Sequence, residues 1–371
     1  MARQLVSYIA PGAPATRRPA VGDEPFLRPE IGFTVRWYHE ALGIDFGARW
    51  HTDPAYRRDA LTAMGRELKR RFPGLNIGWV ADPDHPLDLL TGAFGGCVVA
   101  AIYGVPIVYS RDNWPDTAHQ CLSDEEVDRL EPPDLDTNPF FLGVMDQVEW
   151  IARECERVEG YLNWQGVLNN AFRIRGEEIF ADLAQEPRRA RHLFACIAAT
   201  MTEGMRRLYA RQRRSGVAVR HCTVSNCLVN MVSPRIYAGL LFPFDQRLAE
   251  TFGLIGIHNC AWKADAYLGD YARAKNVAYI DMGLDSNLAR AKRLFPDARR
   301  ALMYTPMDVA AKPLETIRAD LERIAAEYAA CDVVFADIES GTSDERIRAV
   351  ATMCDEISRE VCRARGLSAF G

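Results

Sequence analysis

The sequence lacks an excess of positive charge, a long uninterrupted hydrophobic run and a stretch typical of a secretory signal. Its 45 lysines and arginines are outnumbered by 50 aspartates and glutamates, for a net charge of -5, which argues against nucleic-acid binding. The longest apolar stretch, 95–109, is broken by Gly104 and Pro106 and is too short to span a bilayer. No long apolar core follows Met1, as a signal would require. We therefore expect a cytoplasmic protein that binds neither nucleic acid nor membranes.

Paired cysteine spacing is also missing. The ten cysteines are scattered, which indicates reduced thiols, most of them in the core. The sequence has no glycine-rich dinucleotide-binding turn, because residues 92–96 have the wrong spacing and context. With 371 residues, 48% hydrophobic and 26% charged, the chain has the composition of a globular protein with one large barrel or two smaller domains.

The first 74 residues differ in pattern from the rest. An irregular arm rich in proline, alanine and arginine opens the chain. The aromatic segment 25–50 follows, and two uses of it stay open: a plug across one end of the fold, or a lining of the substrate pocket. A helix comes next, with Thr52 or Asp53 as its cap and Pro54 in its first turn, and it ends at Pro73-Gly74.

From Gly216 onward, strand-like and helix-like segments alternate. The predicted strands are 217–222 (running on towards Cys227), 254–260, 277–281, 301–304 and 333–336, and the predicted helices are 234–252, 264–274, 287–295, 313–330 and 343–365. Such alternation predicts a parallel sheet with helices outside it. Three earlier segments, 75–80, 106–109 and 161–167, bring the strands to eight. We therefore expect an α/β fold, a single (β/α)8 TIM barrel over 75–371, with an N-terminal extension, 1–74, packed on it. An open doubly wound sheet is the alternative.

His258 and Cys260 end one predicted strand, 254–260. Residues two apart on a strand face the same side, so an imidazole and a thiol leave this strand together, which is half of a zinc site. Asp337 and Glu339 follow the last strand with the same spacing and offer carboxylate oxygens. The alternatives are a histidine and a thiol packed in the core, and carboxylates that favour the N-terminus of the helix beginning at Ser343.

Other polar side chains follow the carboxyl ends of predicted strands, where barrels carry their active sites. Asp281, Asn226 and Asp112 are therefore candidate catalytic groups. Asp281 is a candidate acid or base and, alternatively, a partner for an arginine. Cys227 is either a packing residue or a further metal ligand.

One stretch carries motifs of a known family: Ser225-Asn226-Cys227, Ser233-Pro234, Tyr237, Pro243 and Gly256-Ile257-His258-Asn259-Cys260. It resembles the uroporphyrinogen decarboxylase superfamily, and within it the zinc-dependent, cobamide-linked methyltransferase branch. The resemblance covers roughly residue 75 to the C-terminus, weakly in its first half. It implies a (β/α)8 barrel in which His258 and Cys260 bind Zn2+ with a third ligand, usually cysteine, after the last strand. Residues 336–339 are Ala-Asp-Ile-Glu, so the third position falls to Glu339, with Asp337 next, since zinc also accepts carboxylates.

The resemblance implies a methyltransferase that moves a methyl group between a small substrate, a thiol or a methylated compound, and a corrinoid on a carrier protein. Zinc would make a bound thiol available as the thiolate at neutral pH. The decarboxylase branch itself is disfavoured, because its arginine-rich N-terminal motif has no counterpart here. A lyase acting on a carboxylated small molecule and a non-catalytic small-molecule-binding barrel both stay open. Whether the protein forms a homodimer also stays open.

Overall fold

A six-stranded parallel sheet forms the centre of the protein. The computed structural model describes residues 26–75, 77 and 87–366, and it also places strand backbone at 3–4, 8–10 and 13–16. We label the strands of the sheet β1 (Leu27–Phe33), β2 (Cys222–Ser225), β3 (Ile255–His258), β4 (Val277–Gly283), β5 (Arg299–Tyr304) and β6 (Cys331–Ile338). Their order is β1-β6-β5-β4-β3-β2, and every neighbouring pair is parallel. The predicted α/β fold class is confirmed, with a barrel that hydrogen bonds do not close across the described residues.

Helices follow most strands and cover the sheet. They lie at Val35–Leu42, Ala48–Thr52, Pro54–Arg71, Val98–Ile102, Asp124–Asp128, Pro139–Cys155, Val167–Arg175, Glu178–Gln185, Pro187–Arg214, Pro234–Ile236, Phe242–Phe252, Leu268–Tyr271, Leu288–Leu294, Pro306–Ala311, Leu314–Glu327 and Asp344–Arg365. A 3-10 turn spans Cys227–Met231, and a π-helical segment spans Tyr237–Leu241. None of the helices within the described residues combines the length and the apolar character needed to cross a bilayer.

The alternation predicted for the second half is confirmed, because local signals mark its element ends. Ser233, Asn287 and Ser343 each accept a backbone N–H of the helix that follows them, as good N-cap residues do. Asp53 caps the long N-terminal helix in the same way, with Pro54 at its first position. The predicted helix 264–274 is shorter in the structure, Leu268–Tyr271.

The three earlier strand predictions have different outcomes. Residues 161–166 form no strand, and a helix begins at Val167. Of the segment 106–109, Ile107–Val108 pairs antiparallel with Asp116–Thr117, outside the central sheet. Both predictions of barrel strands are therefore wrong. Most of 75–80 lies outside the described residues.

The sequence pattern did not predict strand β1. Leu27–Phe33 contains Pro29, Gly32 and two charged residues, all of which disfavour a central strand. It nevertheless pairs with β6 at the edge of the ladder, from Cys331↔Leu27 to Ile338↔Phe33. An edge strand tolerates proline because one side of its backbone makes no ladder bonds.

The charged residues of β1 belong to a buried ion network at the amino ends of the strands. Arg299 Nε lies 2.6 Å from Asp332 Oδ2, and both side chains are almost fully buried. Arg28 contacts Asp332 at 3.0 Å and Glu30 at 2.7 Å. Two guanidinium groups thus balance two carboxylates, which is the condition under which burying charge is tolerated.

Candidate metal centre

The carboxyl end of β3 delivers His258, and a tight loop directly after it carries Cys260. Cys260 has φ +56°, a left-handed conformation that is uncommon for residues other than glycine. The loop lies against β4, where Gly283 N donates to Trp262 O at 2.8 Å. A Cβ atom at position 283 would collide with the Ala261 carbonyl group. The loop can therefore approach β4 this closely because residue 283 is glycine.

Three metal-ligating side chains converge at this point: Cys227, His258 and Cys260. The Cys260 sulfur lies 2.9 Å from His258 Nε2 and 2.9 Å from the Cys227 sulfur. The three donor atoms all lie within 4.8 Å of one another. His258 is buried, while both cysteines are partly exposed. An ion at this point would therefore be bound on its buried side by His258 and would be accessible to a substrate on the side of the partly exposed cysteines.

Asp281 stands directly behind His258. Its Oδ2 lies 2.5 Å from His258 Nδ1, and the Tyr279 hydroxyl donates to the same oxygen at 2.8 Å. The backbone N–H of Asn259 donates to Oδ1 at 2.7 Å. Because a carboxylate accepts, the Nδ1 proton points at Asp281 and leaves the Nε2 lone pair towards the cysteines. This is the carboxylate–histidine arrangement that orients zinc-binding histidines.

Asn259 links this histidine loop to the helix that follows. Its side-chain N–H donates to the Asp281 carbonyl oxygen at 2.9 Å, and its Oδ1 accepts from the Tyr271 hydroxyl at 2.7 Å. Asn259, Tyr271 and Asp281 are all fully buried. Buried polar groups that are satisfied in this way hold one geometry, so the position of His258 is fixed before any ligand arrives.

Asn226 positions Cys227 through a second buried carboxylate. Its backbone N–H donates to His258 O at 2.7 Å, and its side chain donates to Asp245 Oδ2 at 2.8 Å. The Tyr237 hydroxyl donates to that same oxygen at 2.9 Å. Burial raises the pKa of Asp245 from 3.8 to about 6, against the opposing effect of these two hydrogen bonds. The loop after β2 is thereby tied both to β3 and to the helix Phe242–Phe252.

A cavity of about 520 Å³ opens beside Cys227. Its walls include Gln165, Asn169 and Arg173, which lie at and along the helix Val167–Arg175, and the aromatic ring of Phe172. Asn169 Oδ1 accepts from Leu228 N at 3.2 Å, so this helix is fixed against the loop that carries Cys227. The cavity has the size and the mixed polar and apolar lining of a small-molecule site.

Large apolar side chains are exposed in the segments that follow three strands at the same end of the sheet. Trp262 follows β3, Met231 follows β2 and Met307 follows β5, and they are 53%, 64% and 73% exposed. Exposed apolar groups that surround a site often mark a contact surface. We call these three residues the apolar rim.

The carboxylates expected to complete the site lie outside the three-residue group. Glu339 Oε2 accepts from the Thr34 hydroxyl at 3.2 Å, and Asp337, at φ +57°, is exposed at the irregular end of β6. The structure instead brings in Cys227, the alternative ligand. Glu339 and Asp337 as metal ligands stay predictions.

The candidate catalytic groups are placed differently from one another. Asp281 contacts His258, and Asn226 adjoins Cys227, so both support the ligands from behind. Asp112 forms an ion pair with Arg36 at 3.3 Å and accepts from Ser110 at 3.0 Å, outside the group of three.

Sequence reasoning missed the supporting polar groups Tyr279, Asn259, Tyr271 and Asp245. One signal was available: Tyr279 and Asp281 are two apart on a strand and so share a face. The other contacts join side chains across different elements, which a strand pattern does not specify.

The donor set fits zinc. Two thiolates and one imidazole form the Cys2His set found at catalytic zinc centres, in which the fourth position stays open for substrate. The carboxylate on the far side of His258 and the partial exposure of the sulfurs both agree with such a centre. Cys227, His258 and Cys260 are the residues that would hold the ion.

The fold is similar to that of a solved methyltransferase. A methyltransferase from Methanosarcina mazei superposes with a TM-score of 0.62 at 14% sequence identity, over 91% of this chain and 95% of that one. A B12-independent methionine synthase from Shewanella sp. W3-18-1, solved with selenomethionine, gives a TM-score of 0.40 at 12% identity, over 70% of this chain and 76% of that one. No family model and no curated protein sequence matches the chain. At such low identity the first likeness shows the fold alone.

Proposed function

We propose that this protein is a zinc-dependent methyltransferase that moves a methyl group between a small thiol or methylated substrate and a corrinoid on a carrier protein. The observation that carries the proposal is the Cys227–His258–Cys260 group at the carboxyl ends of β2 and β3, where barrel enzymes perform their chemistry. The reaction class is supported by the name of the Methanosarcina mazei protein whose fold this chain shares.

The proposed division of labour follows from the contacts. Zinc at the three ligands would supply the positive charge that lowers the pKa of a substrate thiol. Asp281 holds His258 in the tautomer whose Nε2 lone pair would bind the ion, and Tyr279 and Asn259 hold Asp281. The cavity beside Cys227 would hold the rest of the substrate. With a thiol substrate, the overall reaction would form a sulfur–carbon bond and break the cobalt–carbon bond of the carrier's methylcorrinoid, leaving both electrons on cobalt and releasing the thiol proton to solvent.

A corrinoid is too large for the cavity, so its carrier would dock over the end of the sheet. The apolar rim supports such docking, because it presents a tryptophan and two methionines at the same end of the sheet as the metal ligands. Methionine and tryptophan are favoured at protein contact surfaces.

Metal content tests the ligand assignment. Purified protein is expected to hold about one zinc per chain by mass spectrometry, the number that one catalytic site accepts. His258→Ala, Cys227→Ser and Cys260→Ser should each lose most of it, whereas Cys155→Ser, at a partly buried cysteine outside the group, should keep it. Full zinc occupancy in the three ligand variants would sink the proposal. Glu339→Gln and Asp337→Asn in the same series test the predicted carboxylate ligands.

Turnover tests the reaction separately. Zinc-loaded protein is incubated with methylcobalamin and 2-mercaptoethanol, and the methyl thioether is measured by mass spectrometry, with metal-stripped protein as the control. Thioether formation that needs both zinc and Cys260 supports methyl transfer. Zinc binding without thioether would leave the metal centre standing and overturn this reaction. Release of carbon dioxide from a carboxylated substrate would favour the lyase alternative.

A further inference from the structure

The amino ends of β2 and β3, opposite the metal ligands, border a second cavity of about 540 Å³. Three arginines line it: Arg206 and Arg213 from the helix Pro187–Arg214, and Arg220 from the segment leading to β2. No aspartate or glutamate is among the lining residues. We call this site the arginine cavity.

These arginines differ from others on the same helix. Arg189, Arg207 and Arg211 each contact at least one carboxylate, at Asp128, Glu203 and Glu149 respectively. Within the described residues, Arg206, Arg213 and Arg220 have no carboxylate within ion-pair distance. Three like charges around one cavity raise the local potential and attract anions.

The spacing of the arginines suits an anion with more than one charged group. Arg206 and Arg213 are seven residues apart, so they share a helix face at about 10 Å along the axis. Arg220 reaches the cavity from a different segment. A guanidinium group binds phosphate or carboxylate oxygens in pairs, and one small monoanion would not engage all three.

One wall of the cavity is apolar. The rings of Tyr209 and Phe252 meet edge to face at 5.5 Å, and Val219 and Leu254 adjoin them. The Tyr209 hydroxyl donates to His221 O at 3.1 Å, which fixes this wall. The cavity therefore offers charge on one side and a rigid apolar surface on the other.

We propose that the arginine cavity binds a small organic polyanion, a phosphate ester or a polycarboxylate, with its charged groups on Arg206, Arg213 and Arg220 and its carbon skeleton against Phe252. The site is separate from the metal centre. Leu254 and His258 are four positions apart along extended chain, about 13 Å. Its existence does not depend on the proposed methyl transfer.

Isothermal titration calorimetry with pyrophosphate and with citrate, in 0.15 M salt (roughly physiological ionic strength), tests the proposal. We expect at least one of the two to bind, and the triple variant Arg206→Gln/Arg213→Gln/Arg220→Gln to weaken binding more than tenfold. The single variant Arg213→Gln should weaken anion binding severalfold. It provides the test if the triple variant is unstable. Arg66→Gln, at an exposed arginine outside the cavity, is the matched control.

The two probes separate the sources of the anion, since preference for pyrophosphate indicates a phosphate ester and preference for citrate a polycarboxylate. Phenyl phosphate should bind more tightly than inorganic phosphate, and Phe252→Leu should reduce that advantage. Failure of both probes to bind the unaltered protein would overturn the proposal. An equal loss of affinity in Arg66→Gln and in the cavity variants would also overturn it, because it would indicate a general charge effect.

Discussion

Two buried polar clusters lie at opposite ends of the same sheet, and their buried charges are stabilised in different ways. At the amino ends, Asp332 and Glu30 contact Arg299 and Arg28, so charges cancel within the cluster. At the carboxyl ends, the Asp281 carboxylate accepts hydrogen bonds from the His258 imidazole, the Tyr279 hydroxyl and the Asn259 backbone N–H. The first cluster can satisfy its charges without any ligand. The second leaves one imidazole nitrogen facing two thiols, which is why we place function there and stability at the other end.

Asp332→Ala should have the largest effect on stability. It would leave the buried Arg299 guanidinium without its carboxylate 2.6 Å away, and breaking one side of a buried pair costs about 3–5 kcal/mol. Urea unfolding measures the loss, with Arg153→Ala in the exposed pair with Glu154 as control, expected at below about 1 kcal/mol. A similarly small loss for Asp332→Ala would erase the distinction between the two clusters.

Asp245→Asn should change how stability depends on pH. Folding raises the pKa of Asp245 from 3.8 to about 6, so the folded chain keeps a proton that the unfolded chain releases between those values. Stability from this group therefore falls as pH rises from about 4 to about 6, by roughly 3 kcal/mol in all. Asparagine cannot ionise, so unfolding free energies of the variant should lack this part of the fall. Parallel pH curves for the two proteins would contradict the raised pKa.

Asp281→Asn should weaken zinc binding rather than unfold the protein. An amide can offer its N–H₂ group to His258 Nδ1 and so favour the wrong tautomer, and loss of such a partner lowers metal affinity about 10–100-fold. Competition with a chromogenic chelator measures the affinity. Asp136→Asn, in an exposed pair with Arg207, should leave it unchanged. Unchanged zinc affinity in Asp281→Asn would contradict the proposal that the second cluster supports metal binding.

Tyr279→Phe should have the smallest effect. It deletes one hydroxyl that donates to Asp281, a loss of about 0.5–1.5 kcal/mol, and zinc affinity should fall severalfold. Tyr328→Phe is the matched control, because the buried Tyr328 hydroxyl has no hydrogen-bond partner within the described residues. A larger loss of stability in Tyr328→Phe than in Tyr279→Phe would reverse the expected order.

The regular half of the fold was predictable because its signals are local. Ser233, Asn287 and Ser343 cap helices within three residues of themselves, and the strands between them are short apolar runs. β1 gave no such signal, since the burial of Arg28 and Glu30 depends on Asp332 and Arg299, which lie on strands far away in the sequence.

The candidate site divides in the same way. Strand spacing predicted the His258 and Cys260 pair, and the structure brings the two side chains together. The strand ends at His258, however, so the left-handed loop residue Cys260 reaches the histidine through the turn of the loop and not through the strand pleat. Cys227 was an open alternative, because its meeting with Cys260 depends on how the loop after β2 turns towards β3. Glu339 was predicted from its position after the last strand and from the family resemblance, and it stays a prediction.

The pairing of β1 with β6 limits when the central sheet can be completed during synthesis. Arg28 meets Asp332 across 304 positions of the chain, and Leu27 meets Ser358 across 331. Contacts this remote in sequence form late and slow folding. During synthesis, β1 leaves the ribosome long before its partner exists, and both β1 and β5 keep an open edge until the final strand and helix emerge. Until translation is nearly finished, the nascent chain therefore exposes unpaired strand edges, which favour aggregation.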